Sequence, residues 1–232
     1  MKKNLAIILA GGSGSRIKQD LPKQFLMLGD KTILQKSIEA FENHPAITHI
    51  FLVIHEEYVH KAGELVQAGG YKKVLNILPG GPARQDSSRI GVMAAPPYEY
   101  ENILIHDAAR PFVTKKIIDD ILDALETFSA VNVAIPSADT IIEIDDKNRV
   151  KKIPDRKYLR RVQTPQAFKS ELIRRAHLLA QEKGITNATD DCGLVLELDL
   201  AEIVVVEGSP ANIKITYPED ILIAERMIAN ER

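Results

Sequence analysis

Cysteine, long apolar runs and an excess of charge of one sign are all scarce in this chain of 232 residues. Cys192 is its single cysteine, so no intrachain disulfide bond can form. No apolar stretch is long enough to cross a bilayer as a helix. The formal net charge is only −2, which provides no general attraction to nucleic acid or to an anionic membrane. We therefore expect no nucleic-acid partner and no membrane partner.

The first ten residues superficially resemble a signal peptide, because two lysines precede an apolar run. That run, residues 5–10, is short and leads into glycines without a small-residue cleavage pattern, which favours a β-strand. We expect a cytoplasmic protein. Cys192 lies within an apolar helical pattern, so we expect it to pack in the core rather than to take part in catalysis.

Two familiar glycine-rich motifs are also absent from the segment after residue 10. A dinucleotide-binding fingerprint beginning at Gly12 requires glycine at position 17, where this chain has Ile17. A Walker loop requires glycine at position 16 or 17, followed by lysine, and Arg16 and Ile17 break that pattern. The segment is therefore typical of neither a dehydrogenase nor a P-loop protein.

Apolar segments of strand length alternate with amphipathic segments of helix length. The chain length fits one large domain, and we expect a single domain over residues 1–232. The predicted strands cover residues 5–10, 49–54, 73–78, 102–106, 132–135 and 202–206. The predicted helices cover residues 33–43, 56–67, 86–94, 115–127, 169–182 and 218–228. This alternation predicts an α/β fold with a mostly parallel sheet covered by helices on both faces.

A glycine-rich loop with two cationic side chains follows the first predicted strand. Glycines let backbone N–H groups approach phosphate oxygens, and the cations then neutralise those oxygens. The pattern predicts a nucleoside triphosphate that is attacked at phosphorus, whereas the alternative is a tight turn with solvated charges. The candidate residues of this loop are Ala10, Gly11, Gly12, Ser13, Gly14, Arg16 and Lys23.

A second polar cluster, residues 80–88, follows the third predicted strand. In open α/β sheets, ligands bind beyond the carboxyl ends of the strands, where this cluster is expected to lie. Its glycines would let the backbone approach a base closely, and its serine would bond to a base or a sugar. The alternative is an ordinary helix start capped by Asp86 or a neighbour. The candidate nucleotide-binding residues here are Gly80, Gly81, Arg84 and Ser87.

A third polar cluster, residues 106–112, follows the fourth predicted strand. Asp107 is a candidate ligand for Mg²⁺, a hard cation that prefers oxygen, or for a ribose hydroxyl. Arg110 either pairs with Asp107 or holds a phosphate group. His106 is expected to be a structural histidine rather than a base. Lys214, near the last predicted strand, is a third candidate phosphate-binding cation.

Two further segments have recognisable local patterns. Residues 140–153 contain two short β-prone runs around a turn, which predicts a hairpin. Such a hairpin is marginal unless it packs on something, so it either folds back on the sheet or pairs with a second subunit. Residues 189–191 are typical of a helix N-terminus, where acidic side chains are favoured, and we expect no metal there.

Several of these clusters, taken in order, resemble the cytidylyltransferases that make CDP-alcohols. The likeness is greatest to those that act on 2-C-methyl-D-erythritol 4-phosphate in the non-mevalonate isoprenoid pathway. The matching segments span nearly the whole chain, and they are residues 9–16, 22–25, 106–112, 155–156, 163–168 and 212–216. Any one segment is a modest signal, whereas the ordered set is specific.

The resemblance implies a Rossmann-like nucleotidyltransferase fold and a homodimer clasped by a β-arm at about residues 139–156. It implies a Mg²⁺-dependent reaction in which CTP and a polyol phosphate give a CDP-polyol and pyrophosphate. The catalytic residues would be Arg16, Lys23 and Lys214. The two glycine-containing loops and Asp107 would bind the nucleotide, and Asp107 would also hold the metal. The residues that bind the polyol phosphate would be Arg110, Thr140, Arg156 and Thr164, with Thr140 and Arg156 acting across the subunit interface.

A related substrate, D-ribitol 5-phosphate, is the alternative within this resemblance. The family often has Ala-Ala-Gly where this chain has Ala10-Gly11-Gly12, a form that also resembles ribitol-5-phosphate cytidylyltransferases of teichoic acid synthesis. Ala109 and the pair Asp155-Arg156 look more like the methylerythritol enzymes. Pro82 replaces an acidic residue common in the second glycine loop, which affects the nucleotide contacts expected there.

A nucleotide-binding regulator without catalytic activity is the alternative from a different functional class. A protein that only binds a nucleotide would not need the whole set of charges, and this chain has Arg16, Lys23, Asp107 and Lys214 together. The sequence therefore favours an enzyme.

Overall fold

The computed structural model describes residues 3–12 and 22–229. The strands in these residues are β1 (Asn4–Ala10), β2 (Met27–Leu28), β3 (Lys31–Thr32), β4 (His49–Ile54), β5 (Val74–Pro79), β6 (Asn102–Asp107), β7 (Ala130–Pro136), β8 (Glu143–Ile144), β9 (Val150–Lys152), β10 (Arg160–Lys169) and β11 (Ile203–Glu207). The α-helices are α1 (Ile33–Glu42), α2 (Val59–Gly69), α3 (Arg84–Ala94), α4 (Lys115–Ala124), α5 (Ser170–Lys183), α6 (Asp191–Glu197) and α7 (Pro218–Ala229). Short 3₁₀ helices cover Lys23–Phe25, Glu56–Tyr58 and Arg156–Tyr158.

The main sheet has the spatial strand order β11-β7-β10-β6-β1-β4-β5. β1 pairs in parallel with β4 and β6, β4 pairs in parallel with β5, and β11 does so with β7. β10 is antiparallel to both of its neighbours, β6 and β7. The predicted mostly parallel sheet is therefore confirmed. Because β1, β4, β5 and β6 all run in the same direction, their carboxyl ends meet at one edge of the sheet.

Helices cover both faces of this sheet, as the alternation of strand and helix segments predicts. Successive residues of β1 point to opposite faces, so Ile8 packs in one layer with Ile118 of α4, and Ile7 packs in the other with Val92 of α3. Cys192 of α6 is buried in the second layer, and burial raises the pKa of its thiol. Its predicted packing role is confirmed.

The helix ends follow the local sequence signals. The hydroxyl of Thr32 accepts a hydrogen bond from the Gln35 N–H, and the Gln35 side chain bonds back to Thr32, which forms a capping box at α1. The N-terminus predicted at residues 189–191 is confirmed, because the Asp190 carboxylate accepts a hydrogen bond from the Gly193 N–H at the start of α6. In the described part of the chain, no helix is both long and apolar enough to cross a membrane.

β10 is the strand of the main sheet that the sequence analysis missed. It lies in the middle of the sheet, although its sequence contains Pro165, which lacks the N–H that a central strand normally donates. The structure accommodates the proline at an irregularity, because the pairing with β7 shifts register between Gln163 and Ala167. Most of the strand is buried, and it places Thr164 beside the end of β6.

The predicted hairpin within residues 140–153 is confirmed. β8 and β9 pair with each other in a two-stranded antiparallel sheet that is separate from the main sheet. Its apolar side chains are largely exposed, among them Ile142, Ile144, Val150 and Ile153. The hairpin thus adds no strand to the main sheet, and it presents an apolar surface to its surroundings.

Candidate active site

A cavity of about 650 Å³ lies at the carboxyl ends of β1, β4, β5 and β6. Its position is where open α/β sheets bind ligands, and its volume suits a nucleotide-sized molecule. The segments that follow each of the four strands form its walls, and a fifth segment, between β11 and α7, contributes Lys214. The lining residues are Leu9, Ala10, Gly11, Gly12, Lys23, Gln24, His55, Glu56, Gly80, Gly81, Pro82, Ala83, Arg84, Ser87, Asp107, Ala108, Ala109 and Lys214.

The loop after β5 is folded tightly against the start of α3. The Gly81 N–H donates to the hydroxyl oxygen of Ser87 over 3.2 Å, and a methyl group on Gly81 would lie 2.4 Å from the β-carbon of Asp86. Asp86 accepts a hydrogen bond from the Ala83 N–H and so caps the helix, as the sequence alternative proposed. Only glycine fits at position 81, so the loop presents its backbone to the cavity at this position.

Asp107, the last residue of β6, is the central charged group of the cavity. Its Oδ1 lies 3.1 Å from Arg84 Nε, and its Oδ2 lies 2.6 Å from Lys214 Nζ. Burial by itself would raise the pKa of this carboxyl group, but the charges of Arg84 and Lys214 outweigh burial and hold the pKa well below its usual range. Asp107 is therefore an anion at neutral pH that holds two cations in place.

Arg84, the first residue of α3, bridges two carboxylates. Besides Asp107, it contacts Asp191, whose Oδ2 accepts from Arg84 Nη1 over 2.8 Å. Burial alone would lower the pKa of the guanidinium, but Asp191 and Asp107 together raise it. The side chain of Asp191 is 2% exposed, so Arg84 connects the open cavity to a charge inside the protein.

His106 and Thr164 fix the backbone of Asp107 from behind. The Thr164 hydroxyl accepts from the Asp107 N–H over 3.0 Å and lies 3.1 Å from His106 Nδ1. His106 Nε2 lies 3.0 Å from the carbonyl oxygen of Arg110, so Nε2 carries the ring proton and Nδ1 accepts from Thr164. Burial lowers the pKa of His106 to about 4, and the ring is neutral at pH 7. His106 is structural, as expected.

Lys23 lines the same cavity as Lys214, although it lies near the other end of the sequence. Its Nζ donates to the carbonyl oxygen of Ile215 over 2.9 Å, next to Lys214. The Ile215 N–H in turn bonds to the carbonyl oxygen of Ala109, which follows β6. The two lysines are thereby held on one wall of the cavity, although they are far apart in sequence.

Arg110 has a different environment from the one that its spacing to Asp107 suggests. Its Nη1 donates to the carbonyl oxygen of Asn212 over 2.8 Å, and its Nη2 donates to that of Val162 over 3.2 Å. The guanidinium thus ties the segment that carries Lys214 to β10. Its assignment to the polyol phosphate remains a prediction.

The hairpin residues lie outside this cavity. Thr140 is exposed, and Arg156 donates to the carbonyl oxygen of Ala138 over 3.3 Å. Arg156 lines a second cavity together with Ser137 and Asp155. Their assignment to the polyol phosphate also remains a prediction.

The structure brings most of the sequence-predicted nucleotide and catalytic residues to one cavity. Those residues are Ala10, Gly11, Gly12, Lys23, Gly80, Gly81, Arg84, Ser87, Asp107 and Lys214, and Thr164 lies directly behind Asp107. Ser13, Gly14 and Arg16 lie outside the described residues. The sequence analysis missed Asp191 as a partner of Arg84. Its only signal was the acidic helix start at residues 189–191, which gives no information about a partner 107 positions away.

The sequence and the fold are both similar to those of a known family of proteins. The sequence matches the family 2-C-methyl-D-erythritol 4-phosphate cytidylyltransferase over residues 5–230. A protein of that name from Thermobifida fusca is 40% identical over 230 residues, which cover 96% of this chain and 92% of the relative. The fold is similar to the crystal structure of 4-diphosphocytidyl-2C-methyl-D-erythritol synthase from Anaerococcus prevotii, with a TM-score of 0.87 and 30% identity over 98% of this chain and 96% of that chain.

The chain is also similar to a relative that is named as a CDP-ribitol pyrophosphorylase. The bifunctional ribulose 5-phosphate reductase/CDP-ribitol pyrophosphorylase of Haemophilus influenzae is 38% identical over 229 residues, which cover 97% of this chain but 48% of that protein. The family match extends over residues 5–230, and the fold is similar to that of a solved structure of the family. The chain therefore belongs to the 2-C-methyl-D-erythritol 4-phosphate cytidylyltransferase family.

Proposed function

We propose that this chain transfers the cytidylyl group of CTP to 2-C-methyl-D-erythritol 4-phosphate. An oxygen of the polyol phosphate forms a bond to the α-phosphorus of CTP, and the bond from that phosphorus to the oxygen bridging to the β-phosphate breaks. The products are CDP-methylerythritol and pyrophosphate. The observation that carries the proposal is one cavity that Lys23 lines and in which Arg84 and Lys214 pair with Asp107, in a chain of this family.

The reaction requires cations rather than a general base. The attacking phosphate oxygen is already an anion, so no proton has to be removed from it. The barrier lies in bringing two anions together and in stabilising the charge on the transferring group and on the departing pyrophosphate. Lys23 and Lys214 lie on one wall of the cavity and are assigned to these charges, and Arg16 is assigned with them.

Mg²⁺ is proposed as the cofactor, with Asp107 as its protein ligand. Mg²⁺ is commonly bound by one or two carboxylates together with substrate phosphates and water. Each carboxylate oxygen has two lone pairs, so the ion pairs to Arg84 and Lys214 leave Asp107 with capacity to accept. When bound, the ion would neutralise phosphate charge.

The loop over residues 80–88 is assigned to the nucleoside. Gly80 and Gly81 present their backbone to the cavity, and Ser87 lines it beside them. A backbone surface can approach a planar base closely, which a larger side chain would prevent. Arg84 lines the same cavity and is assigned to the nucleotide as well.

A homodimer is proposed to form through the hairpin, which acts as the β-arm. Four apolar side chains of the hairpin are each 49–62% exposed, a cluster that is costly to leave in water: Ile142, Ile144, Val150 and Ile153. Docking on a second copy would bury them and would bring Thr140 and Arg156 to the partner's cavity, where they would bind the polyol phosphate.

The experiment that tests the proposed function is pyrophosphate release from CTP and Mg²⁺. 2-C-methyl-D-erythritol 4-phosphate and D-ribitol 5-phosphate are compared in parallel, with D-erythritol 4-phosphate as a control for the methyl group. We expect the largest kcat/KM with the methylerythritol substrate. Preference for ribitol 5-phosphate would instead place the chain with the CDP-ribitol enzymes. Binding of CTP without turnover on any of the three would indicate a regulator.

A further inference from the structure

A buried polar cluster lies behind the candidate active site, and no step of the proposed reaction uses it. We call Ser88, His177 and Asp191 the rear cluster. The Ser88 hydroxyl donates to Asp191 Oδ1 over 2.5 Å. His177 Nε2 lies 3.3 Å from the Ser88 hydroxyl oxygen and 3.4 Å from Asp191 Oδ1. The side chains of His177 and Asp191 are 0% and 2% exposed. None of the three lines the cavity.

The backbone of Asp191 is fixed as firmly as its side chain. Gln166 of β10 accepts hydrogen bonds through its Oε1 from the N–H groups of Asp191 and Cys192, over 3.0 and 3.2 Å. The Gln166 Nε2 atom donates to Asp190 over 2.9 Å. The carboxylate of Asp191 is thus held at a fixed point between α3, α5 and α6.

One oxygen of that carboxylate faces the active site. Asp191 Oδ2 accepts from Arg84 Nη1 over 2.8 Å, while Arg84 Nε donates to Asp107 over 3.1 Å. The guanidinium is planar, and contacts from two of its nitrogens to two separate carboxylates fix both its position and the orientation of its plane. With Asp107 alone, the side chain would be free to rotate about that single contact.

The buried ion pair of Arg84 and Asp191, with Ser88 and His177 in contact with the carboxylate, is an energetically unfavourable way to stabilise a fold. Taking an ionised carboxylate out of water is costly, and apolar packing of similar volume often stabilises a protein as well or better. Among the described residues, Arg84 is the cavity-lining residue whose side chain contacts the rear cluster. A role in orienting Arg84 accounts for this arrangement.

We propose that the rear cluster is a positioning device for the nucleotide: His177 and Ser88 hold Asp191, and Asp191 holds Arg84 in the orientation that binds CTP. This inference rests on the proposed function, because it assigns Arg84 to the nucleotide. The proposal predicts that changes in the rear cluster affect the binding of the two substrates differently. Disturbing the cluster weakens binding of CTP, whereas binding of the polyol phosphate, which is assigned to other residues, is unchanged.

The test compares His177→Phe with His177→Gln. Phenylalanine keeps a ring but has no nitrogen, whereas glutamine places an amide nitrogen near the position of Nε2. We expect His177→Phe to raise KM for CTP about tenfold, the loss of roughly one hydrogen bond to a charged group, with kcat and KM for the polyol phosphate within about twofold. His177→Gln should recover most of the affinity for CTP.

A matched control exists at His44, which is also buried and whose Nε2 lies 3.0 Å from a carboxylate, Asp119. His44→Phe should lower the melting temperature and leave KM for CTP unchanged. If His177→Phe does not fold, Asp191→Asn, which keeps the shape of the side chain, gives the same comparison. Unchanged KM for CTP in a folded variant of the rear cluster, or an equal increase in His44→Phe, would overturn the proposal.

A double variant tests whether His177 acts through Arg84. Arg84→Ala should itself raise KM for CTP, and adding His177→Phe should raise it no further, because the group that His177 positions is gone. Independent, additive losses would contradict the proposal. The dissociation constant of CTP is measured by calorimetry on the same proteins, so the positioning role is decided even if the unmodified protein shows no turnover. Absence of turnover would contradict only the proposed function.

Discussion

Lys214 Nζ lies 2.6 Å from Asp107 Oδ2, although 107 positions separate these residues in the sequence. The ion pair joins the end of β6, in the middle of the sheet, to the segment between β11 and α7. Because both oxygens of Asp107 contact cations, the cavity holds its positive charges close to an internal anion before any ligand enters. The phosphates of a nucleotide would compete with Asp107 for Lys214, and the lysine needs to move only a short distance to meet them.

Lys23 should be required for the chemical step. We expect Lys23→Ala to lower kcat by about 10³, towards the lower end of the range for a cation that acts mainly in the transition state. Steady-state pyrophosphate release at saturating CTP measures this effect. The control is Lys31→Ala, since Lys31 pairs with Glu39 and does not line the cavity. An unchanged kcat in Lys23→Ala would remove Lys23 from the catalytic role.

A side chain at position 12 should weaken binding of the nucleotide without affecting folding. A methyl group on Gly12 would have no heavy atom of the described residues within 4 Å, so Gly12→Ala should fold normally. If phosphates approach this backbone, the methyl group would collide with them and raise KM for CTP about tenfold or more. Gly63→Ala in α2, where a methyl group likewise meets nothing, is the matched control. Equal KM values in the two variants would show that no ligand atom lies near Gly12.

The neutral, buried His106 should make stability fall in mild acid. Because burial lowers its pKa to about 4 in the folded protein from 6.5, the unfolded chain binds the extra proton first as the pH decreases. The free energy of unfolding should therefore decrease by about 2 kcal/mol between pH 7 and pH 4.5 from this group alone. Urea denaturation at the two pH values measures the loss.

His106→Gln should remove this part of the pH dependence. His44, whose pKa burial also lowers, contributes in the same direction and is unchanged in that variant, so the difference between the two proteins isolates His106. An identical loss of stability in His106→Gln and in the unmodified protein would show that His106 is not the group responsible.

The hairpin should carry both the dimer contact and part of the substrate site. We expect Ile144→Asp to dissociate the dimer in sedimentation experiments, because it places a charge among apolar side chains that the interface buries. Leu75→Asp is the control, at an apolar residue of β5 that is similarly exposed, 57% against 52% for Ile144. A fully active monomer would contradict the proposal.

Mixing two inactive variants tests whether the sites are shared. Lys23→Ala and Arg156→Ala affect residues that, on the dimer proposal, reach one site from different subunits. Randomly mixed subunits should recover about one quarter of the activity, because half of the dimers would be mixed and each would contain one intact site. No recovery after mixing would mean that both residues serve the same subunit.

The strands and helices followed from the sequence because they depend on local patterns. Short apolar runs such as residues 5–10 and 49–54, which alternate with amphipathic segments, are typical of buried strands. The glycines and polar residues of 80–88 indicated a loop followed by a helix. β10 escaped this reasoning because Pro165 and its polar neighbours break the pattern of a strand. Its place in the sheet depends on the register shift between Gln163 and Ala167, a tertiary property that no local pattern reveals.

The sequence predicted which residues line the candidate site, but it did not predict which of them contact each other. Each charged residue stood out because it followed a strand or a glycine loop. The ion pairs of Arg84 and Lys214 depend on how the sheet orders its strands and where the last segment returns, so the sequence could not assign them. Arg110 is an example, because its spacing in the sequence suggested an ion pair with Asp107. In the structure its guanidinium donates to two backbone carbonyl oxygens instead.

The late position of Lys214 has a consequence during synthesis of the chain. A nascent polypeptide that has emerged through α6 already contains the glycine loops, Arg84 and both of its carboxylate partners, Asp107 and Asp191. It still lacks Lys214, the second cation that contacts Asp107, and the Ile215 carbonyl oxygen to which Lys23 donates. An unfinished chain would therefore lack the complete arrangement of cations, which forms only as the C-terminal segment folds against Ala109.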